Sequence, residues 1–91
     1  TTFMAMVLAC QLERLAGRNA AALGRLMRAA DYLAAQPSHI LERLIWRTLH
    51  YRNVLRLIPP HTRDPALAPL RRDAELFAAR LEKQGYALSA R

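Results

Sequence analysis

Apolar residues recur along this chain at the three- and four-residue intervals of an α-helix, in segments broken by Gly, Pro and Asn. The pattern predicts a first helix from about Phe3 to Ala16, with Thr2 as N-cap and Gly17 as the stop. Asn19 is suited to cap a second helix, Ala20 to about Gln36, which Pro37 closes. Ser38 is placed to cap a third, which starts at His39 and ends at Pro59-Pro60. Asp64-Pro65 starts a short turn, and Pro69 fits the first position of a fourth helix ending at Gly85. Alternating β-branched residues are absent, so strands are not expected. The predicted fold is all-α, a small helical bundle of three long helices plus a shorter C-terminal helix. A single domain is expected over residues 1–91, with 1–2 and 86–91 as loose ends. Because the chain opens on Thr rather than Met, it is further expected to be trimmed or to be a piece of a longer protein.

The faces of these helices differ in what they ask for. The fourth has one apolar stripe, Leu70, Ala74, Phe77, Ala78 and Leu81, with Arg71, Arg72, Glu75, Glu82 and Lys83 outward. The second turns Leu23, Leu26, Met27, Ala30 and Leu33 inward and Arg25 and Arg28 outward. In the first helix Met4, Leu8, Leu12 and Leu15 make a core stripe, yet Phe3, Met6 and Cys10 put apolar atoms on the other side. A helix apolar all round requires burial on more than one face, and a second chain is the expected cover for Phe3 and Met6. In the third helix Ile40, Leu41, Leu44, Thr48, Tyr51 and Leu55 share the side assigned to the core. His39, Arg43, Trp46, His50, Asn53 and Leu57 stand opposite, with Arg47 and Val54 on the flank. An indole set among Arg and His is the composition of a binding hot spot, so Arg43, Trp46, Arg47 and His50 are the expected partner face. The expected core contains Leu8, Leu12, Leu23, Leu26, Leu44, Tyr51, Leu55, Phe77 and Leu81.

Charge narrows the class of partner. Fourteen Lys+Arg against seven Asp+Glu leave a formal charge of +7, and the sequence pI is about 11.1. Such an excess suits an acidic protein, nucleic acid or an anionic surface, although scattered Arg also serves as a plain solvated coat. A chain of 91 residues supports one small core of modest stability, which association with a partner would reinforce. The single cysteine, Cys10, excludes an internal disulfide, and a reducing, cytoplasmic setting is expected. No apolar run approaches the ~20 residues of a membrane span.

Candidate chemistry is sparse. His39 and His50 share a face but are separated by about 16 Å of helix, too far to hold one ion. Cys10 lies within an apolar helix, where burial raises a thiol pKa and removes reactivity. The carboxylates are scattered, and no phosphate-binding glycine loop is present. No catalytic, metal or cofactor residue is predicted.

Two short resemblances bear on partners. LAGRNAAALGRLMR (15–28) resembles part of a helix-turn-helix of the type in AraC-like regulators, through Gly17, Asn19, Leu23, Arg25 and Arg28. It departs from that pattern at Arg18, where an apolar residue is usual, and its second helix opens with three alanines that offer nothing to base edges. The resemblance implies DNA contact through Arg18, Arg25 and Arg28. HYRNVLR (50–56) is similar to the LYR signature of small basic mitochondrial adaptors, with His50 in place of Leu and the motif mid-chain. Neither is taken as a family assignment. The expected function is a non-enzymatic basic interaction module, a small subunit, chaperone or adaptor. Its partner would be another copy of itself or a larger, partly acidic protein. A nucleic-acid-binding regulator is the alternative, and a small helical enzyme with an anionic substrate the third.

Overall fold

Two of the helices end on a glycine in the left-handed region, Gly17 at φ +80° and Gly85 at φ +88°, where a side chain would be strained. The computed structural model describes residues 2–35 and 44–85. These form α1 (Thr2–Leu15), α2 (Asn19–Ala34), α3 (Leu44–Leu57) and α4 (Ala68–Lys83), with no strand among the described residues. The expected starts of the third helix at Ser38 and His39, and the expected tail at 86–91, lie outside them. The protein is all-helical, and none of the described helices is long and apolar enough to cross a membrane.

The turn after α1 closes as a Schellman motif: the Arg18 N–H donates to the Glu13 carbonyl at 2.9 Å and the Gly17 N–H to the Arg14 carbonyl at 3.0 Å. Arg18, already used to close α1, also occupies the α2 cap position without a side-chain cap, and Asn19 is the first helical residue rather than the cap. Before α4 the Asp64 carboxylate accepts the Ala66 N–H at 2.8 Å, an Asx turn. Pro69 then sits in the first turn of α4, where its missing N–H is not needed.

α1 and α2 pack as an antiparallel hairpin, with Phe3 stacked on Tyr32 (ring centroids 6.2 Å apart) and the Cys10 thiol against the Ala22 carbonyl at 3.3 Å. α3 lies across α1, and α4 folds back along α3, where Tyr51 meets Phe77 at 4.6 Å. One core cluster joins Cys10, Ala22, Leu26, Val54, Ile58 and Ala74. The other joins Phe3, Val7 and Ala29, with Met6, Tyr32, Leu33, Trp46 and Leu49 at its margin. Ala22 and Ala29 of α2 and Ala74 of α4 are fully buried in these clusters.

Two helices face the opposite way from the sequence expectation. In α1 the interior side is Phe3, Val7 and Cys10, while Leu8, Leu12 and Leu15 are exposed, the last two at 66%. In α3 the interior side is His50, Asn53 and Val54, while Leu44 is exposed and Ile45 is 65% exposed. Leu8, Leu12 and Leu44 therefore leave the expected core. Leu26 and Leu81 are buried, and Leu23, Tyr51 and Leu55 pack against the first cluster. For Asn53 the physical reason lies in polar satisfaction. The Asn53 amide donates Nδ2 to the Val7 carbonyl at 3.3 Å and accepts the Arg14 Nε–H at 3.2 Å, so burying it leaves both ends of the amide bonded. His50 packs on Phe3 (5.6 Å) and Tyr51 (5.2 Å) as a neutral aromatic ring. The buried face of α3 is rotated by roughly 140° from the expected one at about 100° per residue.

Candidate functional site

Turning α1 over leaves its apolar side on the surface. Ala5, Leu8, Leu12 and Leu15 are all exposed. Their spacing of three, four and three residues is that of a coiled-coil seam, and along a helix it forms one straight row. The only ionisable side chains of α1 besides Cys10 are Glu13 and Arg14, so this helix carries no net charge within a chain of +7. Arg14 points inward to Asn53. Its pKa is lowered, first by burial and then by the nearby charge of Arg56, with a smaller push from Arg52.

Glu13 gathers two of the arginines assigned to nucleic acid. Its carboxylate takes the Arg18 Nε–H at 2.6 Å and the Arg25 Nε–H at 3.4 Å, bridging α1 to α2. The Arg18 bond, joined by the charge of both arginines, holds the Glu13 carboxyl below the usual carboxylate range. Arg28 is exposed on α2.

The residues expected at a partner face separate into three environments. Phe3 and His50 are interior. Met6 and Trp46 are half-buried and pack on the Phe3, Val7 and Ala29 cluster. Arg47 is half-buried, with its guanidinium over the Phe77 ring at 5.9 Å, a cation–π contact. Arg43 lies outside the described residues. Phe3 and Met6 thus cover the interior of their own chain, and the open face of α1 is the leucine row.

Between α2, α3 and α4 lies a cleft of about 250 Å³ that holds Arg47, His50 and Asp73 against walls that include Leu33, Val54 and Leu70. His50 is 2% exposed. Burial pushes its pKa down to about 4, helped by the charge of Arg47, so the ring is neutral at physiological pH. Asp73 and Leu70 come from α4, whose part in such a site sequence reading missed. Only the fold sets α4 beside α2, and no local signal marks it.

Among the described residues no three of His, Cys, Asp and Glu come together in a way that could hold a metal ion. Cys10 is fully buried, and burial pushes its thiol up to about 11 against the lowering charges of Arg14 and Arg25. No family model matches the chain, and no curated protein or solved structure matches it either.

Proposed function

We propose that the chain is a non-enzymatic basic interaction module that self-associates through the outer face of α1. The observation that supports this reading is the exposed row Ala5, Leu8, Leu12 and Leu15, presented on one helix with heptad-like spacing. Contiguous exposed leucines on one helix face favour a protein contact, because water penalises them and a second apolar face removes that penalty. Charge favours a second copy as the occupant. The row lies on a helix of zero net charge, so it has little to draw an acidic protein, whereas two such helices add no net repulsion of their own when they meet. A two-fold pair would set row against row. The lone buried thiol fits a reducing, cytoplasmic setting. The nucleic-acid reading has weaker support, since Arg18 and Arg25 share the Glu13 carboxylate.

The test is sedimentation equilibrium of the chain over a concentration series at low and high salt. The expected result is a reversible oligomer that high salt leaves intact, as an apolar contact requires. Leu12→Glu combined with Leu15→Glu should yield a monomer with unchanged helical circular dichroism. A wild type that stays monomeric at its highest soluble concentration overturns self-association.

A further inference from the structure

Two residues that line the cleft between α2, α3 and α4 carry polar atoms that the fold leaves without partners. Arg47 Nε and His50 Nδ1 are both buried and make no hydrogen bond. His50 is almost wholly enclosed, and among the described residues Arg47 has the Phe77 ring beneath it but no carboxylate within ion-pair reach. Unanswered buried polar groups are uncommon, because each gives up its water on folding for nothing. Here both residues line one cavity.

Their chemistry is directional. Positions 47 and 50 are one helical turn apart, so both project from the same side of α3. Arg47 is permanently charged and offers its Nε–H, while a neutral imidazole can carry its proton on Nδ1 and offer a second N–H. Paired donors suit the two oxygens of a carboxylate. Ala30, Leu33, Val54 and Leu70 supply apolar wall around them. The exposed Asp73 carboxylate also lines the cleft, so a second negative charge on a ligand would be repelled there.

We propose that this cleft binds a small monocarboxylate, its carboxylate held by the Arg47 and His50 side chains and its apolar body laid against Ala30, Leu33 and Leu70. The cavity of about 250 Å³ has the room of roughly eight waters at about 30 Å³ each, which accommodates an acid of benzoate size. This inference does not depend on self-association, since the cleft is built from α2, α3 and α4 and the leucine row lies on α1.

The experiment titrates benzoate into the isotopically labelled chain and follows the His50 ring nitrogens and the Arg47 Nε–H by NMR. Saturable shifts at both are expected. Arg47→Gln should weaken binding by about tenfold or more, the loss of one charge-assisted pair. Asp73→Asn should strengthen it a few-fold, and inorganic phosphate should bind more weakly than benzoate. Circular dichroism checks that Arg47→Gln is folded; if it is not, Asp73→Asn and the neutral analogue benzyl alcohol decide. Benzyl alcohol binding as tightly as benzoate overturns the proposal. So do shifts that never saturate, or equal affinity in a folded Arg47→Gln, any of which leaves a water-filled cleft.

Discussion

Asn53 on α3 donates its side-chain N–H to the Val7 carbonyl of α1 at 3.3 Å, joining two helices through residues 46 apart in sequence. Its oxygen is bonded in turn to Arg14, so one buried amide fixes how α3 lies on α1. Asn53→Leu removes the donor from Val7 and the acceptor from Arg14 together. Loss of about 1–3 kcal/mol in urea unfolding is expected, and Asn53→Asp should also destabilise, because it keeps the Arg14 contact but sets a carboxylate oxygen against the Val7 carbonyl.

Arg71 uses one guanidinium nitrogen, Nη1, to reach the Leu55 carbonyl at 2.8 Å and the Ile58 carbonyl at 2.9 Å, closing the end of α3 from α4. Its Nε meanwhile holds Glu75 at 3.0 Å. Arg71→Ala should lower stability by roughly 1.5–3 kcal/mol, whereas Glu75→Ala should cost only a few tenths, the worth of an exposed pair. Parallel thermal melts of the two variants separate these contributions.

His50 makes the fold acid-sensitive. In the unfolded chain the imidazole titrates near its ordinary 6.5, and in the folded chain near 4. Between those values the unfolded state binds the extra proton, so stability is full above about pH 6.5 and falls as the pH drops towards 4. The loss should be on the order of 3 kcal/mol and should level off once both states are protonated. Denaturant midpoints measured across this range should be clearly flatter for His50→Phe. The depressed carboxyl of Glu13 adds its own loss as the pH falls below its ordinary 4.5.

Cys10 should be silent in the folded protein. Its thiol is enclosed, points to the Ala22 carbonyl and has a pKa pushed up to about 11. Ellman's reagent at neutral pH should react no faster than the protein unfolds, and at once in denaturant. Rapid labelling of the native chain would show that the α1–α2 contact opens readily.

How much of this was legible before the fold was seen depends on how many apolar faces a helix has. α4 has one, and Leu70, Ala74 and Leu81 are turned inward as their spacing predicts. α1 has two, and nothing local decides between Leu8, Leu12 and Leu15 on one side and Phe3, Val7 and Cys10 on the other. The decision comes from Ala22 and Asn53, which offer partners only after the chain has folded back. For α3 the sequence pattern misled, because His50 and Asn53 look like surface residues until their contacts with Phe3, Val7 and Arg14 are known. The cleft residues Arg47 and Asp73 lie on separate helices, and no sequence spacing relates them.

The short turn at Gly17 has a kinetic consequence. It joins helices that pack on each other along their length, so their contacts form at small cost in loop closure. Those contacts also span short stretches of chain, the kind that assemble fastest. The hairpin of α1 and α2 is therefore expected to be the early structured unit, with α3 and α4 docking afterwards. Ala22→Gly, which loosens the hairpin, should slow refolding, and Val54→Ala, which loosens the later dock, should mainly speed unfolding.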